Sequence, residues 1–309
     1  MENNKEDIIK EPKDWDTFVE MYQDVLEHFA MQSPIILYSL TQAKKFSKIC
    51  EVGVGPGLAA RMFISNIMKK GAAYFCSDLS DEMIKGFYDN FQNCDSALNP
   101  RNKLEMIEDF ETIDTNKHIK EMGDEIEKKL FLVKASNEKL PYPDECFDLY
   151  LSSLSLHIVD NYMVQLEEAY RILEIGGVAG FTIPGRKENC TIHHFVPDVL
   201  ESLGYSIPPP SKKDPNHLSN KEALEKDFKK IGFSVVKTYY TQANFIMKNV
   251  TEMLNIIIKF KILSSVLSTL SPTQMQELTA ELEKQWELKF GQGTTEVQEL
   301  ELLVVIATK

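Results

Sequence analysis

Five cysteines in 309 residues is a small and odd number, and Cys50, Cys76, Cys94, Cys146 and Cys190 include no C-x-x-C pair. Neither a zinc site nor a disulfide framework follows from such spacing, and no metal site is expected. Reduced thiols are the plain reading, with Cys50 and Cys76 packing as small apolar groups inside strands. Basic residues are also scarce: 34 Lys and Arg stand against 47 Asp and Glu, a formal net charge of -13. General nucleic-acid binding is therefore not expected, because phosphate contacts demand clustered cations. The amino-terminal stretch MENNKEDIIKEPKD lacks an apolar h-region and an Arg-rich amphipathic pattern. Neither secretion nor mitochondrial import is expected, and the cytoplasm is the default location. The one long apolar run, MLNIIIKFKILSSVLSTL at 253–270, carries Lys259 and Lys261 in its middle, so no transmembrane segment is expected. Its Met253, Ile256, Phe260, Leu263, Leu267 and Leu270 fall at helical spacing, which suits a helix packed on the domain, with interfacial membrane contact as the alternative.

What is present begins with ICEVGVGPGLAA at 49–60, a buried strand running into a glycine turn and then a helix. Gly53, Gly55 and Gly57 let backbone N–H groups approach a nucleotide-like ligand. Dinucleotide binding wants G-x-G-x-x-G, and here Leu58 breaks that spacing. Glu51 is an unexpected acid in a core strand. A second apolar strand, in AYFCSDLSDEMI, ends in Asp78 about twenty residues past the turn, where a carboxylate can accept both hydroxyls of a ribose. Leu79 and Met83 would offer apolar faces to an adenine. Ser80 reads equally well as a helix N-cap, with Asp81 and Glu82 in the first turn. The third block, LFLVKASNEKLPYPDECFDLYLSSLSLHIVDN at 130–161, places two apolar strands around a turn at Pro141 and Pro143.

The order E-x-G-x-G-x-G resembles motif I of the class I S-adenosylmethionine (SAM) dependent methyltransferases. The third block is similar to the methyltransferase type 11 pattern of strand, small polar pair, L-P-F/Y-x-D and F-D-h-h-h-S. The resemblance continues through EEAYRILEIGGVAGFTIPG at 167–185 to a sixth strand in GFSVVKTYY at 232–240 and a last one in ELELLVVIATK at 299–309. It implies an α/β fold: a Rossmann-like, doubly wound, mainly parallel sheet of seven strands with an antiparallel last strand, plus a helical amino-terminal cap and lid insertions. The corresponding division is a cap at 1–45 and a methyltransferase domain at 46–309. A core that size suits a chain of 43% hydrophobic residues better than two equal domains.

The resemblance also implies a site. Gly53, Gly55 and Gly57 would pack on the methionine part of SAM, Glu51 would bind near its amino group, and Asp78 would hold its ribose. Leu79, Met83, Ser136, Asn137 and Ser153 complete the cofactor contacts. The family usually has an aspartate where Ser136 stands, so adenine recognition there is weaker or shared with Asn137, and both residues also suit capping of the next turn. In the amino-terminal amphipathic stretch, which includes Trp15, Phe18 and Val25, Tyr22 would lie beside the methionine end or serve only as packing. His157 is the candidate base or substrate-orienting group, or a histidine fixed by structural hydrogen bonds.

Three segments look added. Asn93 to Lys129 reads as an exposed, mainly helical, charged insertion, either a solvated face or a docking surface for a protein partner. Residues 186–220, with a helix near Phe195 to Leu203 and then Pro208, Pro209 and Pro210, and residues 245–296 read as substrate-lid segments. In the former, His193 and His194, adjacent in an extended stretch, would point opposite ways. The implied activity is methyl transfer (EC 2.1.1) to a small-molecule acceptor, releasing S-adenosylhomocysteine. Two other readings stand beside it: a scaffold that kept the fold without turnover, and an enzyme modifying a protein, like the complex I assembly factor branch that SSLSLHIVDN also resembles.

Overall fold

The computed structural model describes residues 19, 22, 30–108, 111–207, 214–247, 249–257, 263, 266–291 and 296–309. Its strands are β1 (Lys48–Val52), β2 (Ala72–Asp78), β3 (Asn102–Ile107), β4 (Lys128–Lys134), β5 (Phe147–Ser153), β6 (Leu173–Pro184), β7 (Val235–Met247) and β8 (Glu296–Thr308). They form one sheet in the order β3-β4-β2-β1-β5-β6-β8-β7. All pairings from β3 to β6 are parallel, while β8 runs antiparallel to both β6 and β7. The α/β class, the parallel majority and the antiparallel last strand are as the sequence implies.

The sheet has eight strands, one more than the expected seven, and the extra one is β3. It lies inside the 93–129 segment, which is therefore not mainly helical: between helices at Asp95–Leu98 and Thr115–Glu121 the chain pairs with β4 from Asn102↔Lys128 to Ile107↔Val133. Leu104 packs on one face of the sheet and Ile107 on the other, enough apolar anchoring to seat an edge strand beside β4, whose centre, Leu130 to Val133, is apolar and buried.

The helices used below are α1 (Gln32–Leu40), α2 (Leu58–Asn66), α3 (Asp81–Gln92), α4 (Tyr162–Ile172), α5 (Thr191–Ser202), α6 (Lys221–Ile231), α7 (Val250–Ile257) and α8 (Pro272–Phe290). Strand alternation sorts the core into two layers. Cys50, Val52, Phe75, Phe131, Tyr150 and Phe181 face α4 and α6, while Ile49, Tyr74, Cys76, Leu130 and Leu149 face α1, α2 and α3. By period two, Glu51 belongs to the second layer.

A third apolar cluster lies apart from both. It joins Cys190, Phe195, Val196 and Leu200 to Met253, Leu278, Leu282 and Trp286 over the far ends of β7 and β8. Met253 and Leu267 are buried there, with Leu263 and Leu270 packed against the cluster, so these four have a protein surface to cover them; Phe260 lies outside the described residues. Among the described residues no helix is long and apolar enough to cross a membrane. The base of this region is pinned by Glu301, a buried carboxylate that accepts from the Arg186 amide at 2.8 Å, from Arg186 Nη2 at 2.6 Å and from Asn189 Nδ2 at 2.8 Å.

Chain order reverses between β1 and β5, because the strands following β1 build outward to one side and those from β5 onward to the other. A crevice opens at the carboxyl ends of strands where such a reversal occurs. Glu51, the glycine turn and Ser153 all stand at that end.

Candidate cofactor and acceptor site

The turn after β1 takes its shape from its glycines. Gly53, Gly55 and Gly57 have φ of +63°, +58° and +83°. At Gly57 a Cβ would stand 2.3 Å from Cδ2 of Phe87 on α3, so that glycine serves packing of the turn against its neighbour. At Gly55 the same construction meets, among the described residues, Cε1 of Tyr22 alone, at 3.8 Å. The Gly55 amide donates to Asp78 Oδ2 at 2.9 Å, and the Ser80 amide donates to Asp78 Oδ1 at 3.0 Å. Both oxygens at the end of β2 are thus oriented by backbone donors.

Ser80 is the N-cap of α3, its hydroxyl accepting from the Met83 amide at 3.1 Å. Of the two apolar side chains proposed beside Asp78, Leu79 is 41% exposed and Met83 only 3%, so Leu79 alone offers surface to a ligand. After β4, Ser136 Oγ accepts from the Glu138 amide at 3.2 Å, and Asn137 Nδ2 donates to Ser155 Oγ at 3.4 Å. Ser136 thus caps the following turn as the plainer reading has it, whereas Asn137 reaches across to the loop after β5 instead. The Ala135 amide donates to Asp78 O at 3.0 Å, which brings this pair alongside the acid.

Glu51 is 4% exposed. The Tyr74 hydroxyl donates to its Oε2 at 2.6 Å, and the Tyr38 hydroxyl donates to Oε2 at 2.9 Å and to Oε1 at 3.2 Å. Burial drives the carboxyl up to about 7, against the lowering effect of the two hydroxyls. Among the described residues no cation pairs with it. Glu51 lines a cavity of about 40 Å³ together with Tyr22, Met31, Gly53, Leu58 and Ser153. That volume accommodates a small polar group or a water or two, part of a site instead of the whole of it. Ser153, beside the cavity, is 2.8 Å from Ser33 Oγ, which is itself 2.6 Å from Thr182 Oγ1, so three hydroxyls tie α1 to β5 and β6.

Tyr38, Tyr74 and Ser33 are the residues that sequence reading passed over. Tyr74 carries a legible signal: it shares the face of Glu51 in the neighbouring strand, and a buried acid needs donors. Tyr38 and Ser33 lie in α1, whose docking on the sheet no local pattern announces.

His157 follows β5. Its Nδ1 is shielded from solvent and has no hydrogen-bond partner among the described residues. Burial, reinforced by the neighbouring His193 and His217, pushes the imidazole down to about 3, so the ring is uncharged at neutral pH. His193 and His194 are not in an extended stretch. Both sit in α5, which begins four residues before the expected helix, and a helix turns successive side chains by roughly 100° instead of 180°. His193 Nδ1 lies 3.0 Å from Asn216 Oδ1, and His194 Nδ1 lies 2.9 Å from Asp198 Oδ2. Asn216 Nδ2 donates to Gly185 O at 2.7 Å, which assigns its oxygen to face His193 and makes His193 Nδ1 the donor. His193 is the one beside His157. Pro208, Pro209 and Pro210 lie outside the described residues, as do Trp15, Phe18 and Val25 of the cap. Among the described residues there is no cluster of His, Cys, Asp and Glu that could hold a metal.

Compared with known proteins, residues 50–181 match the family described as "Methyltransferase domain". An uncharacterized protein of Methanocaldococcus jannaschii is 34% identical over 125 residues, 40% of this chain and 56% of that protein. A hybrid PKS-NRPS synthetase of Penicillium citrinum is 29% identical over 130 residues, 42% of this chain and 3% of that much longer protein. The chain thus spans about half of one curated relative and a small part of the other. A solved structure from Bacillus halodurans, described as a methyltransferase, superposes with a TM-score of 0.52 at 16% identity, covering 88% of this chain and 98% of its own; it shares the fold.

Proposed function

We propose, from the match of residues 50–181 to a methyltransferase domain family, that the chain is a class I SAM-dependent methyltransferase of the type 11 group that methylates a small-molecule acceptor, using SAM and releasing S-adenosylhomocysteine. The observation that carries the reading is Glu51. A carboxylate buried beside a glycine turn, lining a small cavity and lacking a cation among the described residues, fits a ligand that brings its own positive charge. SAM carries an ammonium group at the end that the turn would receive.

In this assignment Glu51 takes the amino group, with Tyr22 and Ser153 around it, and Gly53, Gly55 and Gly57 admit the methionine chain. Asp78, preset by the Gly55 and Ser80 amides, accepts the ribose hydroxyls. Leu79 covers one adenine face, with Met83 beneath it in the core, and Ser136 and Asn137 stand at the adenine edge. When bound, SAM supplies a sulfonium-activated methyl that an acceptor atom can take by in-line displacement. The protein's share is alignment and exclusion of water. We place His157 and His193 at the acceptor side as uncharged hydrogen-bonding groups. A ring as weakly basic as His157 orients an acceptor more readily than it removes a proton from one.

Calorimetry with SAM and S-adenosylhomocysteine tests the reading, followed by a screen of acceptors for release of S-adenosylhomocysteine. Micromolar binding that disappears in Asp78→Ala supports it. Absence of binding by folded protein leaves the scaffold reading in its place.

A further inference from the structure

Glu51 has two oxygens in unequal surroundings. Oε2 receives the Tyr74 hydroxyl at 2.6 Å and the Tyr38 hydroxyl at 2.9 Å, while among the described residues Oε1 has the longer Tyr38 contact alone, at 3.2 Å. One oxygen is saturated by the protein and the other keeps its acceptor capacity. The tyrosines come from different elements, Tyr38 from α1 and Tyr74 from β2, and Phe63 of α2 braces both. Its ring lies 4.6 Å from that of Tyr38 and 5.8 Å from that of Tyr74, centroid to centroid. All three rings are buried, so the hydroxyl positions are set by packing.

We infer that Tyr38 and Tyr74 are positioning residues that clamp Oε2 of Glu51 and leave Oε1 to receive the ammonium group of the ligand, coupling ligand capture to release of the Glu51 proton. This inference rests on the SAM reading above. The physical argument concerns charge. With the cavity empty the carboxyl is buried without a counter-ion and holds its proton; when an ammonium group enters, the ionised form gains a partner and the proton leaves to solvent. Among the described residues no cation pairs with Glu51, and Tyr22, which shares the cavity, carries a phenol and not a cation. Tyr38 from α1 and Tyr74 and Cys76 from β2 share the layer of Glu51, Cys50 lies on the opposite face of β1, and all four are pushed well above their ordinary values by burial and stay protonated and neutral through the working range. On the β5 side, Leu149 and Leu151 offer no titratable group.

The test uses the full chain and calorimetric binding of S-adenosylhomocysteine from pH 5.5 to 8.5, with 5′-methylthioadenosine, which has no amino acid part, as the comparison ligand. For the wild type the dissociation constant of S-adenosylhomocysteine should rise about tenfold per pH unit below about 7 and level off above it. 5′-Methylthioadenosine should bind with no such slope. Tyr38→Phe and Tyr74→Phe remove donors to the carboxylate and keep the rings. Each should move the break to higher pH and weaken S-adenosylhomocysteine about tenfold at pH 6.5, leaving 5′-methylthioadenosine unchanged. Glu51→Gln should bind S-adenosylhomocysteine weakly at every pH. A role in packing alone would weaken both ligands equally with the break unmoved, and that result overturns the inference, as does a flat wild-type profile. If Tyr74→Phe fails to fold, Tyr38→Phe and the Glu51→Gln profile decide. Wild type that binds neither ligand at pH 8.5 removes the SAM reading itself.

Discussion

The amide of Gly55 and the carboxylate of Asp78 are joined at 2.9 Å, so the glycine turn after β1 and the end of β2 fix one another before any ligand arrives. Replacing Asp78 by Ala strands two backbone donors, those of Gly55 and Ser80, at a partly buried position. The expected outcome is a loss of about 1–3 kcal/mol in denaturant unfolding, accompanied by loss of measurable SAM binding in calorimetry. Asp78→Asn keeps an acceptor for one amide, and is expected to recover most of the stability with little of the affinity.

Glu51 gives the ligand-free fold a pH dependence of definite sign. Its carboxyl is raised from 4.5 to about 7, so between those values the folded chain binds more protons than the unfolded one, and stability falls as pH rises through the window. By pH 8 the ionised, unpaired group costs about 3 kcal/mol. Glu51→Gln is therefore expected to melt several degrees above the wild type at pH 8 without ligand, and together with it at pH 4.5. Scanning calorimetry at the two pH values checks this.

His157 acts in the opposite range. Its imidazole is lowered from 6.5 to about 3, so its contribution is present above 6.5 and is lost as pH falls toward 3. Replacement by Asn should flatten the acid limb of the stability profile by about 1.4 kcal/mol per pH unit near pH 5. Proton NMR of the wild type should show a His157 ring that does not titrate between pH 5 and 8.

Gly57 and Gly71 separate backbone strain from steric conflict. Both have positive φ, +83° and +80°, but a Cβ at Gly57 would strike the Phe87 ring while one at Gly71 meets nothing within 4 Å. Gly71→Ala should cost about 1 kcal/mol, the conformational part alone, and Gly57→Ala about 3 kcal/mol. Urea midpoints for the two variants measure the difference.

The parts of the fold that could be read in advance are those whose residues declare themselves locally. β1, β2, β4 and β5 are near-continuous apolar runs, as strands buried on both faces must be, and the glycine turn and Asp78 stand at their carboxyl ends. β3 was hidden because its anchors, Leu104 and Ile107, are interleaved with polar and charged residues and gain a partner only when β4 presents its edge. The start of α5 was hidden by Pro197, which counts against a helix through 191–202, although a helix forms there with the ring inside it. At the site, Glu51 stood out as an acid in an apolar strand. Its donors did not, because Tyr38 comes from a helix outside the motif block and acquires its role only when α1 docks through Ser33.

The third apolar cluster, set above the ends of β7 and β8, pinned below by Glu301 and Arg186 and touching the main layers through Ile36 and Leu154, makes this region a largely interchangeable part. Its α5, α7 and α8 share their buried surface chiefly with one another and with the ends of those two strands, while Glu51, the glycine turn and Asp78 belong to the layers of the main sheet. A lineage, or an engineer, can therefore revise the one in steps that leave the other intact, provided that the carboxylate at the hinge is kept.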